Sequence, residues 1–265
     1  MSRSPDNPPP RGVRGPWRPV RRLLDRRKFL PAPRPGPVPV LPRRPEPRIT
    51  AAIRVHNGEY WAQECLADLS QYVDEIVVFD DASTDRTVDI CRSFAQVARL
   101  LSWPKDFLHE GIDRNVLLAL AKDTQPDWIL LVDIDEQFEE RMKTEIRSLV
   151  NQDGWVLYSF RPYHFWRSRT HYRVDGKWGS PKSLCPRLFR NQPGLYFPMK
   201  RFSGFIQGLV GETTVSDIRL KHYGYLLPEH CQQKHDLYAA ADPTGRYDHL
   251  ISEEGLQLEE WVENP

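Results

Sequence analysis

Two apolar strands that run straight into paired carboxylates constrain this chain more than anything else in it. From Ile76 to Asp89 it reads IVVFDDASTDRTVD, a β-branched and aromatic run ending in Asp80 and Asp81 and followed by a helix start. From Trp128 to Glu136 it reads WILLVDIDE, again apolar and ending in the alternating acids Asp133 and Asp135. Short unbroken apolar runs suit strands covered on both faces, as in a parallel sheet. Carboxylates delivered to one end of such a sheet mark a crevice beyond the carboxyl ends of its strands. A crevice lined this way suits a nucleotide and a divalent metal.

The surrounding pattern alternates strand and helix. Ile49–Val55 is predicted as the first strand and ends at His56-Asn57-Gly58. Glu59–Ser70 follows as a helix with Tyr60, Trp61, Cys65, Leu66 and Leu69 at helical spacing. Ile76–Phe79 is the second strand, and Asp85–Ala98 a helix capped by Ser83 or Thr84. Arg99–Ser102 is a short third strand and Glu110–Lys122 a helix. Trp128–Val132 is the next strand and Glu139–Val150 the next helix. The fold class is therefore α/β, a mainly parallel, Rossmann-like sheet with right-handed crossovers. After Gly154 the residues are rich in aromatics, arginine, glycine and proline, and predict short antiparallel strands through Tyr225. A helix is expected from Pro228 to about Ala241.

The chain has 265 residues, enough for one sizeable α/β domain. Its 37 basic residues nearly balance 36 acidic ones, but the amino terminus is rich in arginine and holds many of the 24 prolines. Such a stretch buries little, so residues 1–47 read as a disordered arm. Residues 48–265 then form the folded unit, with a nucleotide-binding half at 48–150, an acceptor half at 151–227 and a helical segment at 228–265. Within the arm, Trp17–Pro31 (WRPVRRLLDRRKFLP) offers a short basic amphipathic helix for peripheral contact with an anionic membrane surface; a solvated basic tail is the other reading. No nucleic-acid-binding module accompanies the charge, so no specific nucleic-acid partner is expected. The four cysteines are scattered without a C-x-x-C pair, which favours reduced thiols over a disulfide or zinc framework. With no signal core and no membrane-length apolar run, the expected location is the cytoplasm, with the arm able to reach the inner face of the membrane.

Asp133-Ile134-Asp135 carries the clearest chemistry. Alternation along an extended segment aims both carboxylates to one side, where a hard cation can bridge them. Such an ion, Mn2+ or Mg2+, would hold the phosphates of a nucleotide diphosphate and neutralise that group as it departs. A bare D-x-D can equally be an acidic turn before a helix.

Several motifs occur in order. Asp80-Asp81-Ala82-Ser83-Thr84-Asp85-Arg86-Thr87 resembles the D-D-x-S-x-D-x-T signature of family 2 glycosyltransferases, which have the GT-A fold. Arg114-Asn115 resembles that family's A-R-N element, and Asp133-Ile134-Asp135-Glu136 its D-x-D-E metal motif. The opening Ile53-Arg54-Val55-His56-Asn57 is similar as well. The resemblance covers about Ile49–Tyr225 and implies a metal-dependent, inverting transfer of a sugar from a nucleotide-diphospho-sugar, with a UDP-sugar favoured.

The resemblance also implies roles. Asp81 would accept a hydrogen bond from the donor's base. Asp80, Arg54 and Arg114 would lie near the nucleotide, with Arg114 equally readable as a helix-surface cation. Asp133 would touch the ribose and the metal, and Asp135 would ligate the metal as part of the catalytic set. His222, in the H-x-G segment of Ile218–Tyr225, would complete the metal shell or contact the diphosphate; its other reading is a histidine packed in an aromatic strand.

An inverting transfer needs a base opposite the leaving diphosphate. Glu212 matches the placement of the H-E element of lipopolysaccharide-core-type relatives, although Gly211 stands where they have histidine. Asp217 and Glu136 compete for that role. On the acceptor side, Trp166, Tyr172, Trp178 and Arg187 are candidates, since aromatics suit sugar faces and arginine suits phosphates or acidic sugars. The acceptor is expected to be a cell-envelope glycan, a glycolipid or a small-molecule hydroxyl. Two alternatives stand beside this reading: a nucleotidyltransferase, which would want a glycine-rich phosphate loop after the first strand, and a non-catalytic nucleotide- or sugar-binding scaffold of the same fold.

Overall fold

The computed structural model describes residues 44–103, 109–176, 178, 183–200, 204–241, 244–245 and 247–264. The arm through residue 43, including Trp17–Pro31, lies outside the described residues.

The amino-terminal half forms as its pattern dictates. Strand β1 (Ile49–Val55) is followed by helix α1 (Glu59–Leu69), β2 (Glu75–Asp80), α2 (Thr87–Ser93), β3 (Val97–Ser102), α3 (Glu110–Asp123), β4 (Trp128–Asp133), a short β5 (Glu136–Phe138) and α4 (Met142–Asn151). β1 lies between β2 and β4, parallel to both, and β2 pairs with β3 in the same sense. The register sets the site: Arg54 is opposite Asp133, Val55 opposite Asp80, and Asp80 opposite Ser102. The strands thus end in one row.

Alternation along β1 divides the core. Ile49, Ala51, Ile53 and Val55 face one side with Leu66 and Leu69 of α1 and Met142 and Ile146 of α4. Ala52 faces the other with Val77, Phe79, Ile129 and Leu131, covered by Val116, Leu117 and Ala121 of α3. Both faces of the central strands are buried, which is why their sequences run apolar without a polar beat.

Two helix boundaries differ from expectation. α2 is shorter than Asp85–Ala98, because Phe94 turns extended (ψ 122°) to start the approach to β3. α4 begins at Met142 rather than Glu139. The Glu139 carboxylate is fully buried and instead accepts the Arg219 N–H at 2.7 Å and the Arg219 guanidinium.

The second half departs further. β6 (Trp155–Trp166), β7 (His171–Arg173), β8 (Cys185–Arg190), β9 (Glu212–Tyr225), helix α5 (Pro228–Ala241) and β10 (Leu258–Glu260) complete the order. β6 and β9 are 12 and 14 residues long and run parallel, not short and antiparallel. β8 is antiparallel to both β4 and β6, and β5 antiparallel to β9. Pro162 interrupts the sequence pattern but not β6, because it lies past the β8 pairing, on a stretch hydrogen-bonded to β9 and next to a register shift. Among the described residues ten strands form one sheet, ordered β10-β7-β6-β8-β4-β1-β2-β3, with β9 bridging β5 and β6.

Candidate active site

The row of strand ends divides into two corners. In the first, Arg54 leaves β1 with its Nε donating to Asp113 Oδ2 at 2.9 Å and an Nη donating to Asp81 Oδ2 at 2.6 Å. Asp113 sits on α3 and is fully buried. Burial works against the guanidinium charge, but Asp113, Asp81 and Glu110 outweigh it and raise the pKa of Arg54. Arg54 is therefore a fixed cation that aims the Asp81 carboxylate. His56 adds a 2.6 Å contact between Nδ1 and the Asp81 carbonyl.

Asp80 does different work. It is fully buried and accepts from the Ser102 hydroxyl at 2.6 Å and the Ser83 N–H at 3.3 Å, so it clamps its own turn rather than facing a nucleotide. The rest of the motif knits two loops together. The Asn57 N–H donates to Ser83 Oγ and the Gly58 N–H to Thr87 Oγ1, each at 2.8 Å, while Asn57 Oδ1 accepts the Thr84 N–H at 2.8 Å. Asp85 accepts the N–H groups of Glu59 and Thr87. Ser83 and Thr84 thus serve the β1–α1 loop, and Asp85 accepts the N–H of Thr87, the first residue of α2, whose N-cap position is Arg86. Gly58 is required there, since a Cβ would overlap Val55.

The second corner holds Asp133, Asp135, Glu136 and His222. Asp133 Oδ2 accepts from an Arg187 Nη at 2.7 Å, and its Oδ1 lies 3.8 Å from an Arg114 Nη. Burial alone would raise the Asp133 carboxyl; Arg187 and Arg114 hold it well below the usual carboxylate range. Glu136 accepts the Asp133 N–H at 3.0 Å and shares the Arg187 guanidinium. Burial, with Asp133 beside it, pushes Glu136 up to about 7. Arg187 is therefore not an acceptor residue. It is buried beneath the two carboxylates as their common counter-ion.

Asp135 faces β9 and α5. Its Oδ2 accepts from Lys234 Nζ at 2.8 Å, and its Oδ1 lies 3.8 Å from His222 Nε2. Burial lowers the His222 pKa to about 4, so the imidazole is neutral at physiological pH. Its Nδ1 is buried and makes no hydrogen bond among the described residues. β9 presents His222 in register between Glu136 of β5 and His164 of β6. Gly224 makes the approach possible: a Cβ there would overlap Asp135 Oδ2, Lys234 Nζ and His222 Cε1.

The remaining sequence candidates fall elsewhere. Glu212 is exposed at the start of β9, ten residues before His222 on the same strand and opposite Trp155. At ~3.3 Å per residue an extended strand carries it roughly 30 Å from the cluster, which removes it as the base. Asp217 is exposed and pairs with Arg141 at 3.0 Å. Trp166 is only 1% exposed and packs under Arg173. Tyr172 donates to Glu259 at 2.6 Å, joining β7 to β10. Trp178 is the aromatic acceptor candidate placed nearest His222, 4.6 Å from Tyr225 and 5.2 Å from His164 between ring centres.

The sequence reading missed Asp113 and Lys234. Asp113 had a signal, a carboxylate on the same helical face as Val116 and Leu117, where burial demands a cationic partner. Lys234 had none, lying in a polar helix among His230, Gln232, Gln233 and His235.

Residues 50–211 match the family model described as Glycosyl transferase family 2, and the chain belongs to that family. Its fold is GT-A: the structure of Staphylococcus aureus TarS 1–349 superposes with a TM-score of 0.50 at 17% identity, covering 78% of this chain and 70% of that one. Among curated proteins, a TPR repeat-containing protein of Synechococcus elongatus is 33% identical over 134 residues, 50% of this chain and 29% of that protein. An uncharacterized glycosyltransferase of Rickettsia bellii is 27% identical over 148 residues, 55% of this chain and 47% of that protein. The chain spans about half or less of the length of these curated relatives. His222 and Lys234 lie beyond the residues that the family model matches.

Proposed function

We propose that this chain transfers a sugar from a nucleotide-diphospho-sugar, a UDP-sugar for preference, to a hydroxyl of a glycan or glycolipid. One observation carries the reading: Asp81, steered by Arg54, and the Asp133–Asp135 pair lie along one row of parallel strand ends. In a doubly covered parallel sheet that edge is where nucleotides bind.

In this reading Asp81 accepts from the base. Arg114, whose Nη lies 3.8 Å from Asp133 Oδ1 while its Nε faces Glu110 at 4.0 Å, offers a donor toward phosphate oxygens. A divalent ion belongs at Asp133 and Asp135 with His222. The donor set suits one: two carboxylates held ionised and a neutral imidazole with a nitrogen unbonded among the described residues. Among the described residues no three His, Cys, Asp or Glu side chains form a ready-made metal cluster, and Arg187 and Lys234 are bonded to the two aspartates. When bound, the ion would neutralise charge on the departing diphosphate. Inversion at the anomeric carbon is part of the proposal and rests on the motif resemblance alone. Trp178 is the favoured surface for the acceptor ring. No helix among the described residues is long and apolar enough to cross a membrane, so a glycolipid acceptor would be reached from the membrane surface, with the basic arm as the proposed contact.

The test is calorimetry with UDP and GDP, with and without Mn2+, followed by a donor-hydrolysis assay. Metal-enhanced nucleotide binding with slow donor hydrolysis supports the enzyme. Nucleotide binding without any hydrolysis or transfer would leave a binding scaffold, and no nucleotide binding would overturn the reading.

A further inference from the structure

We propose that Lys234 is a tethered cation that fills the metal's place beside Asp135 in the nucleotide-free chain, so that a divalent ion binds there only together with a diphosphate. This rests on the nucleotide-sugar reading above and specifies how its metal is admitted.

The placement is built rather than incidental. Cys231, Lys234 and Tyr238 recur at three- and four-residue spacing on α5, so they share one helical face. Cys231 is fully buried, and Lys234 Nζ lies 5.3 Å from the Tyr225 ring centre of β9. The same face therefore carries the ammonium into the crevice, where it ends 2.8 Å from Asp135 Oδ2. A side chain at position 224 would collide with both groups, so the glycine is what lets them meet. Burial works against its charge, but Asp135 at hydrogen-bond distance outweighs that and raises the Lys234 pKa, so the group remains an ammonium.

Charge pairing gives the consequence. Asp133 and Glu136 share Arg187, Asp133 also faces Arg114, which Glu110 faces as well, and Asp135 is paired with Lys234, so each carboxylate already has a cation against it. A divalent ion entering this cluster must compete with those cations, and at Asp135 with the ammonium, for a carboxylate oxygen. A diphosphate changes that competition. It brings negative charge for the ion, and it supplies a second anion to which the displaced ammonium can turn. Metal and nucleotide are then bound as a unit, and Lys234 sets the strength of that coupling. Arg187 cannot play this part, because it is buried between Asp133 and Glu136.

The experiment titrates Mn2+ by electron paramagnetic resonance, without nucleotide and at saturating UDP or GDP, on wild type, Lys234→Met and Lys234→Arg. Wild type is expected to bind Mn2+ weakly alone and tightly with the nucleotide. Removing one neighbouring charge should tighten Mn2+ binding to K234M without nucleotide by about tenfold or more and shrink the coupling by the same factor. K234R, which keeps the charge, should behave as wild type. If K234M does not fold, Lys234→Gln carries the same expectation. Unchanged or weaker nucleotide-free Mn2+ binding in the neutral variant, with the Mn2+–nucleotide complex still forming, overturns the role of Lys234 and leaves the donor site standing. No binding of either nucleotide to any of the proteins overturns both.

Discussion

An Arg54 Nη donates to Asp81 Oδ2 at 2.6 Å, fastening the end of β1 to the residue just beyond β2. Because the same guanidinium also holds the fully buried Asp113, one side chain links two strands and α3 at the edge of the crevice. Removing it would take away the guanidinium that pairs with the buried Asp113 carboxylate. Arg54→Met should therefore lower unfolding stability by about 3 kcal/mol, and Arg54→Met combined with Asp113→Leu should recover much of the loss. Urea unfolding curves of the two proteins check this.

Asp81 is the group the base should meet. Asp81→Asn keeps the shape but removes the charge-assisted acceptor, and hydrogen bonds to charged groups contribute about 1.5–3 kcal/mol. UDP affinity should fall between about tenfold and a hundredfold, with a lowered melting temperature as well, since the Arg54 charge pair is weakened. Equal affinity in wild type and variant would move the base elsewhere.

Glu212 should be silent. Exposed at the start of β9, it cannot reach a sugar held at Asp135. Glu212→Gln is expected to leave donor hydrolysis, transfer and nucleotide affinity as in wild type. A large loss of transfer would show that β9 bends far enough to return Glu212 to the crevice.

Asp74 contributes to the acid limb of stability. Burial opposes its charge, but hydrogen bonds from Arg147 and from the Ile49 N–H at 2.6 Å outweigh that and lower its pKa below 3.8. A carboxylate depressed in the folded state contributes stability that is complete above its unfolded value and is lost as pH falls through the folded one. Asp74→Asn should thus be less stable than wild type at neutral pH, with the difference narrowing below 3.8. Denaturant midpoints measured across that range give the slope.

Gly224 tests the second corner without touching a charge. Gly224→Ala forces a methyl group into the space shared by Asp135, Lys234 and His222. The atoms it meets are side-chain ends that can shift aside, so the stability should change little while their arrangement does. Spreading the three groups should weaken Mn2+–UDP binding, which calorimetry reads directly.

The nucleotide half was legible because each of its signals is local. β1 begins and ends where the apolar run of Ile49–Val55 does, and α1 and α3 follow their apolar spacing to within a residue. The second half was not, because β6 and β9 are defined by each other. Their alternation is broken by register shifts, and nothing within Trp155–Trp166 says that its neighbour lies nearly sixty residues on and runs parallel. In the site, Asp81, Asp133 and Asp135 could be read from strand-end position. Arg187 was noticed for its type and misassigned, since only the pairing of β8 with β4 turns it under Asp133. Asp80 was misread for a similar reason: its partner Ser102 arrives from β3 by strand pairing.

The crossed hydrogen bonds among Asn57, Ser83, Thr84, Asp85 and Thr87 have a further consequence. Two loops that would otherwise sample many conformations are stitched to each other before any ligand arrives. A guest docking against them then loses its own freedom and little of the host's, so a weak set of contacts can still yield useful affinity. Discrimination at that wall would come from the shape of a rigid mould, and a base of the wrong outline would be turned away rather than accommodated.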